Sequence, residues 1–113
     1  MYRKLSRNSK IRRSILAGIT KDVIMNEGVT TTEARAKEVR KFVDKMITYG
    51  KNGSLVSRRK ALAFLHNDKK VVDKVFNELA PRYAERKGGY TRIIKLQERK
   101  GDDALNVRLE LVD

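Results

Sequence analysis

Apolar residues in the first third of the chain recur at helical spacing. Ile11, Ile15, Ile19 and Val23 stand four apart, and Leu16 and Ile24 widen the stripe. This predicts an amphipathic helix from about Asn8 to near Gly28, with Asn8 or Ser9 placed to cap its start. Val29-Thr30-Thr31 is β-branched throughout and predicts a short strand. Thr32 then offers an N-cap oxygen, and Glu33 complements the dipole of a second helix. That helix carries Ala36, Val39, Val43, Met46 and Ile47 on one face and is stopped by Gly50 and Gly53. Ser54 can cap a third helix reaching about His66. After a break at Asn67-Asp68, Val71, Val72, Val75, Phe76 and Leu79 form another apolar face, and Pro81 suits the first turn of a short further helix.

Beyond Gly88-Gly89 the period changes. Thr91, Ile93 and Ile94 are β-branched, and Leu105, Val107, Leu109 and Leu111 alternate with Asn106, Arg108 and Glu110. A period of two is that of a half-buried strand. Arg99-Lys100-Gly101-Asp102-Asp103 has turn composition, so a C-terminal β-hairpin is predicted, with Val29 to Thr31 available as a third strand. The expected fold class is α+β, with several helices packed on one face of a small three-stranded sheet. The 113 residues fit a single domain, 1–113, with one modest core.

Charge changes the picture from fold to partner. Lys and Arg number 27 against 14 Asp and Glu, a net charge of +13. Such an excess repels itself in the compact state unless a polyanion relieves it. The excess is concentrated at the start, where residues 1–21 hold Arg3, Lys4, Arg7, Lys10, Arg12, Arg13 and Lys21 and no acid. Arg12 and Arg13 fall in the early turns of the first helix, where cations oppose the dipole, so an outside anion is expected to offset them. Phosphates do this with release of condensed counterions. A transit peptide shares this basic, acid-poor composition, but the helix runs straight into the strand at Val29 with no processing-site composition.

Elsewhere the basic residues divide by their surroundings. Arg35, Lys37, Arg40 and Lys41 on the second helix alternate with Glu33, Glu38 and Asp44 at pairing distances, which favours a solvated, ion-paired face. The third helix has no acid between Ser54 and Asn67 to neutralise Arg58-Arg59-Lys60, which makes Arg58 and Arg59 candidate phosphate contacts. The stretch Arg82-Tyr83-Ala84-Glu85-Arg86-Lys87-Gly88-Gly89-Tyr90-Thr91-Arg92 joins guanidinium forks, rings and a glycine pair. Arg82, Arg86, Lys87 and Arg92 can hold phosphate, Gly88 and Gly89 let backbone amides approach it, and Tyr90 can stack on an unpaired base.

Catalysis finds no support. There is no cysteine, His66 stands alone where a helix ends, and Asp102-Asp103 lacks a third acid at ligand spacing. Neither a phosphate-loop motif, a nucleophile elbow nor a zinc-ligand set occurs. The expectation is a non-enzyme with no cofactor, no metal, no small-molecule substrate and no membrane partner, in an intracellular setting.

Several segments in order resemble the bacterial large-subunit ribosomal protein seventeen family. They are Tyr2-Arg3-Lys4-Leu5 with Arg7, Thr31-Thr32-Glu33-Ala34-Arg35-Ala36-Lys37-Glu38, the Arg58-Arg59 pair, and Gly88-Gly89-Tyr90-Thr91-Arg92-Ile93 preceded by Arg82-Tyr83. Lys100-Gly101-Asp102 and the ending Glu110-Leu111-Val112 complete the set. The resemblance implies an α+β domain of the large ribosomal subunit in the cytoplasm, bound to 23S rRNA and to neighbouring large-subunit ribosomal proteins near the peptide exit tunnel. By position it implies rRNA contact from Arg3, Lys4, Arg7, Lys10, Arg12 and Arg13 and from the arginines around Gly88-Gly89. A free-standing nucleic-acid-binding regulator and a basic membrane-acting element are the rival expectations.

Overall fold

The structure, a computed structural model, describes residues 9–98 and 105–113. Helix α1 (Ser9–Asn26) leads into strand β1 (Gly28–Thr32), followed by α2 (Glu33–Asn52), α3 (Leu55–Phe64) and α4 (Lys69–Lys74). A π-helical turn (Val75–Leu79) and a short α5 (Ala80–Arg82) precede β2 (Thr91–Glu98) and β3 (Leu105–Leu111). The predicted capping positions Asn8 and Ser9, the turn at 99–103, and the candidate contacts Arg3, Lys4 and Arg7 lie outside the residues whose side chains are described.

Local chemistry sets the helix boundaries. Thr32 is extended at φ −75° and its side chain accepts the Arg35 N–H, while Gly53 closes the far end of α2 at φ +70°. Ser54 accepts the Ser57 N–H at the start of α3, and Asp68 accepts the Val71 N–H at the start of α4. Each cap satisfies a donor that helix geometry leaves orphaned. As expected, Pro81 sits in the first turn of the short α5, which follows directly on a π-turn that the spacing does not signal. The Ala80 N–H reaches back five residues to the Val75 carbonyl, so the chain widens into a π-turn and continues through Pro81, which has no N–H to place. The widened turn lies against α2 at Gly50, where an added Cβ would stand 3.0 Å from Val75 Cγ1 and 3.1 Å from its carbonyl oxygen. Gly50 is therefore a close-approach residue within α2, which runs on past it to Asn52.

The sheet order is β1-β3-β2, antiparallel throughout, with Val29 opposite Leu109 and Ile93 opposite Leu109 on its other side. The alternation of the tail thus belongs to the central strand. Its inward residues Val107, Leu109 and Leu111 are buried under α2, whose Val39, Val43, Met46 and Ile47 supply the facing layer. Helix α2 touches all three strands, α1, α3, the π-turn and α5, which makes it the axis of the core.

The predicted stripe of α1 holds at Leu16, Ile19, Val23 and Ile24 and is corrected at its start. Leu16, Ala17, Val23 and Ile24 are buried, and so is Thr20, whose hydroxyl donates to the Leu16 carbonyl at 2.7 Å. Ile11 and Ile15 instead remain 61% and 42% exposed, because the first turns of α1 extend past the end of the core. Among the described residues no helix is long and apolar enough to cross a membrane.

Candidate nucleic-acid interface

The basic residues sort into those that build the fold and those left facing outward. The densest paired group centres on Glu27, at the joint between α1 and β1. Its backbone takes the left-handed conformation at φ +62°, and its carbonyl accepts the Leu111 N–H at 3.0 Å. Its carboxylate holds the Arg82 guanidinium in a fork, at 2.6 and 3.0 Å, and accepts from Lys74 Nζ at 3.3 Å. Lys74 also donates to the Met25 carbonyl at 3.0 Å. Arg82 above all, with Lys74, outweighs partial burial and holds the Glu27 carboxyl down at about 2.

Because folding lowers this pKa, the stabilisation is present above the ordinary carboxylate value and is lost as pH falls towards 2. The side chain is 42% exposed, so solvent screening leaves about 1 kcal/mol of it. Glu27→Gln is expected to flatten the acid limb of the stability profile between about pH 5 and pH 2. Urea unfolding at stepped pH checks this; parallel profiles for the two proteins would show that Glu27 carries none of the acid sensitivity.

Other predicted contacts are likewise engaged. Arg92 is bound by Glu110 at 2.6 and 2.9 Å, with Arg108 on the same carboxylate at 3.1 Å, across the helix-free face of the sheet. Arg58 pairs with Asp73 and lies over the Phe76 ring at 5.1 Å from its centre. Arg12 pairs with Glu38 at 3.5 Å. That bond crosses a groove of about 620 Å³ between α1 and α2, floored by Leu16 and Ala34 and edged by Ile11 and Ile15. On α2 itself Lys37 meets Glu33 one turn away at 3.7 Å, but the expected ion-paired face is otherwise only solvated: Arg35, Arg40 and Lys41 are exposed without an ion pair among the described residues, and Glu38 is taken by Arg12.

Lys10, Arg13, Arg59, Arg86 and Lys87 are exposed and make no ion pair among the described residues. Lys60, beside Arg59 on α3, has the same character. Arg86 and Lys87 stand on the loop that joins α5 to β2. Gly88 and Gly89 take left-handed backbone at φ +82° and +63°, which a side chain would strain, and a Cβ at either would meet nothing within 4 Å. The space outside these glycines is open.

Tyr90 requires a correction. Expected as a stacking platform for a base, it is 3% exposed, with its ring 5.3 Å from that of Tyr83. A ring closed on both sides by the core offers no face to a base. Its hydroxyl instead accepts from Lys51 Nζ at 2.9 Å and donates to the Arg86 carbonyl at 3.4 Å, and the ammonium holds its pKa below the ordinary tyrosine range. Tyr83 anchors the same region by donating to the Val112 carbonyl. Lys51 was missed by the sequence reading, since a lysine in the last turn of a helix carries no sign of a contact 35 residues away.

The family model described as ribosomal protein L17 matches residues 15–112. The chain is 56% identical to the large ribosomal subunit protein bL17 of Ligilactobacillus salivarius, covering 99% of this chain and 98% of that one. It is 50% identical to the bL17 protein of Leuconostoc citreum, with the same coverage. Against that of Fusobacterium nucleatum it is 55% identical, covering 98% of this chain and 95% of that one.

Proposed function

The chain belongs to the ribosomal protein L17 family, and from that premise we propose that it is a structural constituent of the bacterial large ribosomal subunit. It acts as one rRNA-binding domain in the cytoplasm, bound to 23S rRNA near the peptide exit tunnel beside other large-subunit proteins. Its role is to fix RNA segments during assembly and translation, and no residue is assigned a catalytic step.

The observation that carries the reading is the division of the cations. The acids neutralise the arginines that tie elements together, which leaves Lys10, Arg13, Arg59, Arg86 and Lys87, and with them Arg35, Arg40, Lys41, Lys69 and Lys70, without an ion pair among the described residues. Uncompensated guanidinium and ammonium groups gain from RNA phosphates both Coulomb energy and counterion release. Arg3, Lys4 and Arg7 extend the same basic run and belong to the proposed contact set. Contacts of this kind position the protein on RNA shape, and carry little sequence information.

Sedimentation of a cell lysate tests the reading. The protein is expected in the large-subunit fraction of a sucrose gradient at ordinary salt, and to leave it as salt is raised. Its recovery only in the soluble fractions would sink the assignment and favour a free-standing regulator.

A further inference from the structure

We propose that Lys51 is a positioning residue for the glycine loop, holding its main chain so that Arg86 and Lys87 face one RNA phosphate site. The inference rests on the rRNA-binding reading and adds to it a residue that contacts no RNA. Lys51 rises from the last turn of α2, which is itself immobilised: the Gly53 N–H caps it on the Tyr49 carbonyl at 3.0 Å, and Asn52 Oδ1 accepts from Ser54 N and Ser57 Oγ at 3.2 and 3.0 Å. From that fixed end Nζ donates to the Arg86 carbonyl and to the Tyr90 hydroxyl, and stands 5.2 Å from the Tyr90 ring centre. Two of its three protons are thus spent on the loop.

The bond to the Arg86 carbonyl matters because the next three residues have few other ties, the Gly88 N–H on the Tyr90 hydroxyl being one. Gly88 and Gly89 have no side chain, and their Cβ directions are empty. Within the loop Arg86 Nη1 reaches the Gly89 carbonyl at 3.4 Å, a weak closure. An unheld double-glycine loop would lose conformational freedom on meeting RNA, and a pre-shaped loop avoids most of that loss. The buried Tyr90 supplies the second anchor, which accounts for an aromatic residue beside the glycines that no base can reach.

A lysine that positions and a lysine that touches phosphate differ in salt dependence. Loss of a phosphate contact lowers the slope of log affinity against log salt by about 0.7 to 0.9, whereas loss of preorganisation weakens binding with the slope unchanged. The full chain is titrated with deproteinised 23S rRNA between 50 and 200 mM salt. Lys51→Met is expected to weaken binding roughly five- to tenfold at constant slope, and Lys87→Ala to lower the slope. Tyr90→Phe, which removes only the hydroxyl, should move affinity the same way as Lys51→Met at constant slope.

Amide hydrogen exchange of the free protein supplies a reading that needs no RNA: Gly88, whose N–H lies on the Tyr90 hydroxyl, should exchange faster in Lys51→Met and Tyr90→Phe. Unchanged exchange in both variants would overturn the positioning role. A reduced slope in Lys51→Met would overturn it too, by making Lys51 a phosphate contact. If the wild-type chain shows no salt-dependent rRNA binding while the exchange result holds, the loss falls on the rRNA reading and the strut itself stands.

Discussion

Shortening Leu109 to alanine is expected to lower the unfolding free energy by about 2 to 5 kcal/mol. Leu109 is fully buried at the middle of the central strand, opposite Val29 on one side and Ile93 on the other, under the apolar face of α2. Removing its branched end forfeits the transfer of those carbons from water and leaves a cavity, because the two strand neighbours are fixed by the ladder and cannot close over it. A domain of this size has about 5 to 15 kcal/mol in all, so the variant should unfold at markedly lower urea concentration and temperature. Ile94→Ala, on the helix-free face where the side chain is 41% exposed, should cost far less. Equilibrium urea unfolding compares them, and equal losses would mean that the core is not organised around β3.

The second large effect concerns RNA. Replacing Arg13, Arg86 and Lys87 together with alanine is expected to reduce affinity for 23S rRNA roughly a hundredfold near 0.1 M salt and to lower the salt slope by about 2 to 3. These three are exposed and without ion pairs among the described residues, so on the proposed reading each neutralises a phosphate. Arg92→Ala is the matched control. Its guanidinium is already committed to Glu110, so the slope should hold. Filter binding at several salt concentrations reads both, and an unchanged slope in the triple variant would place those residues on a merely solvated face.

The two predictions draw on different kinds of legibility. The role of Leu109 is visible in the strict alternation from Leu105 to Leu111, because a strand turns successive side chains to opposite faces. The helix starts at Thr32 and Ser54 are equally visible, since a cap is made within three residues. Which arginine is left without an ion pair among the described residues is not visible. Arg82 and Arg86 read alike in the chain, yet Arg82 meets Glu27, 55 residues earlier, while Arg86 faces outward. Helix α1 shows the same limit. Its four-residue spacing is real, but how far the core extends beneath it decides that Leu16 is buried and Ile15 half exposed. Nothing local marks the π-turn either, which depends on how Gly50 of α2 meets Val75.

Residues 1–21, with seven cations and no acid, raise the expectation of a polyanion partner without any fold, because net charge is a sum over composition and needs no geometry. Periodicity and capping likewise determined the order of helices and strands, since both act between residues a few positions apart. The tertiary structure alone decided which cations are consumed by Glu27, Glu38, Asp73 and Glu110 and which stay without an ion pair among the described residues. It alone made Tyr90 an anchor under the loop instead of a platform upon it. An ion pair or a buried ring depends on distances of a few ångströms between segments far apart in the chain, and those distances exist only once the helices have closed on the sheet.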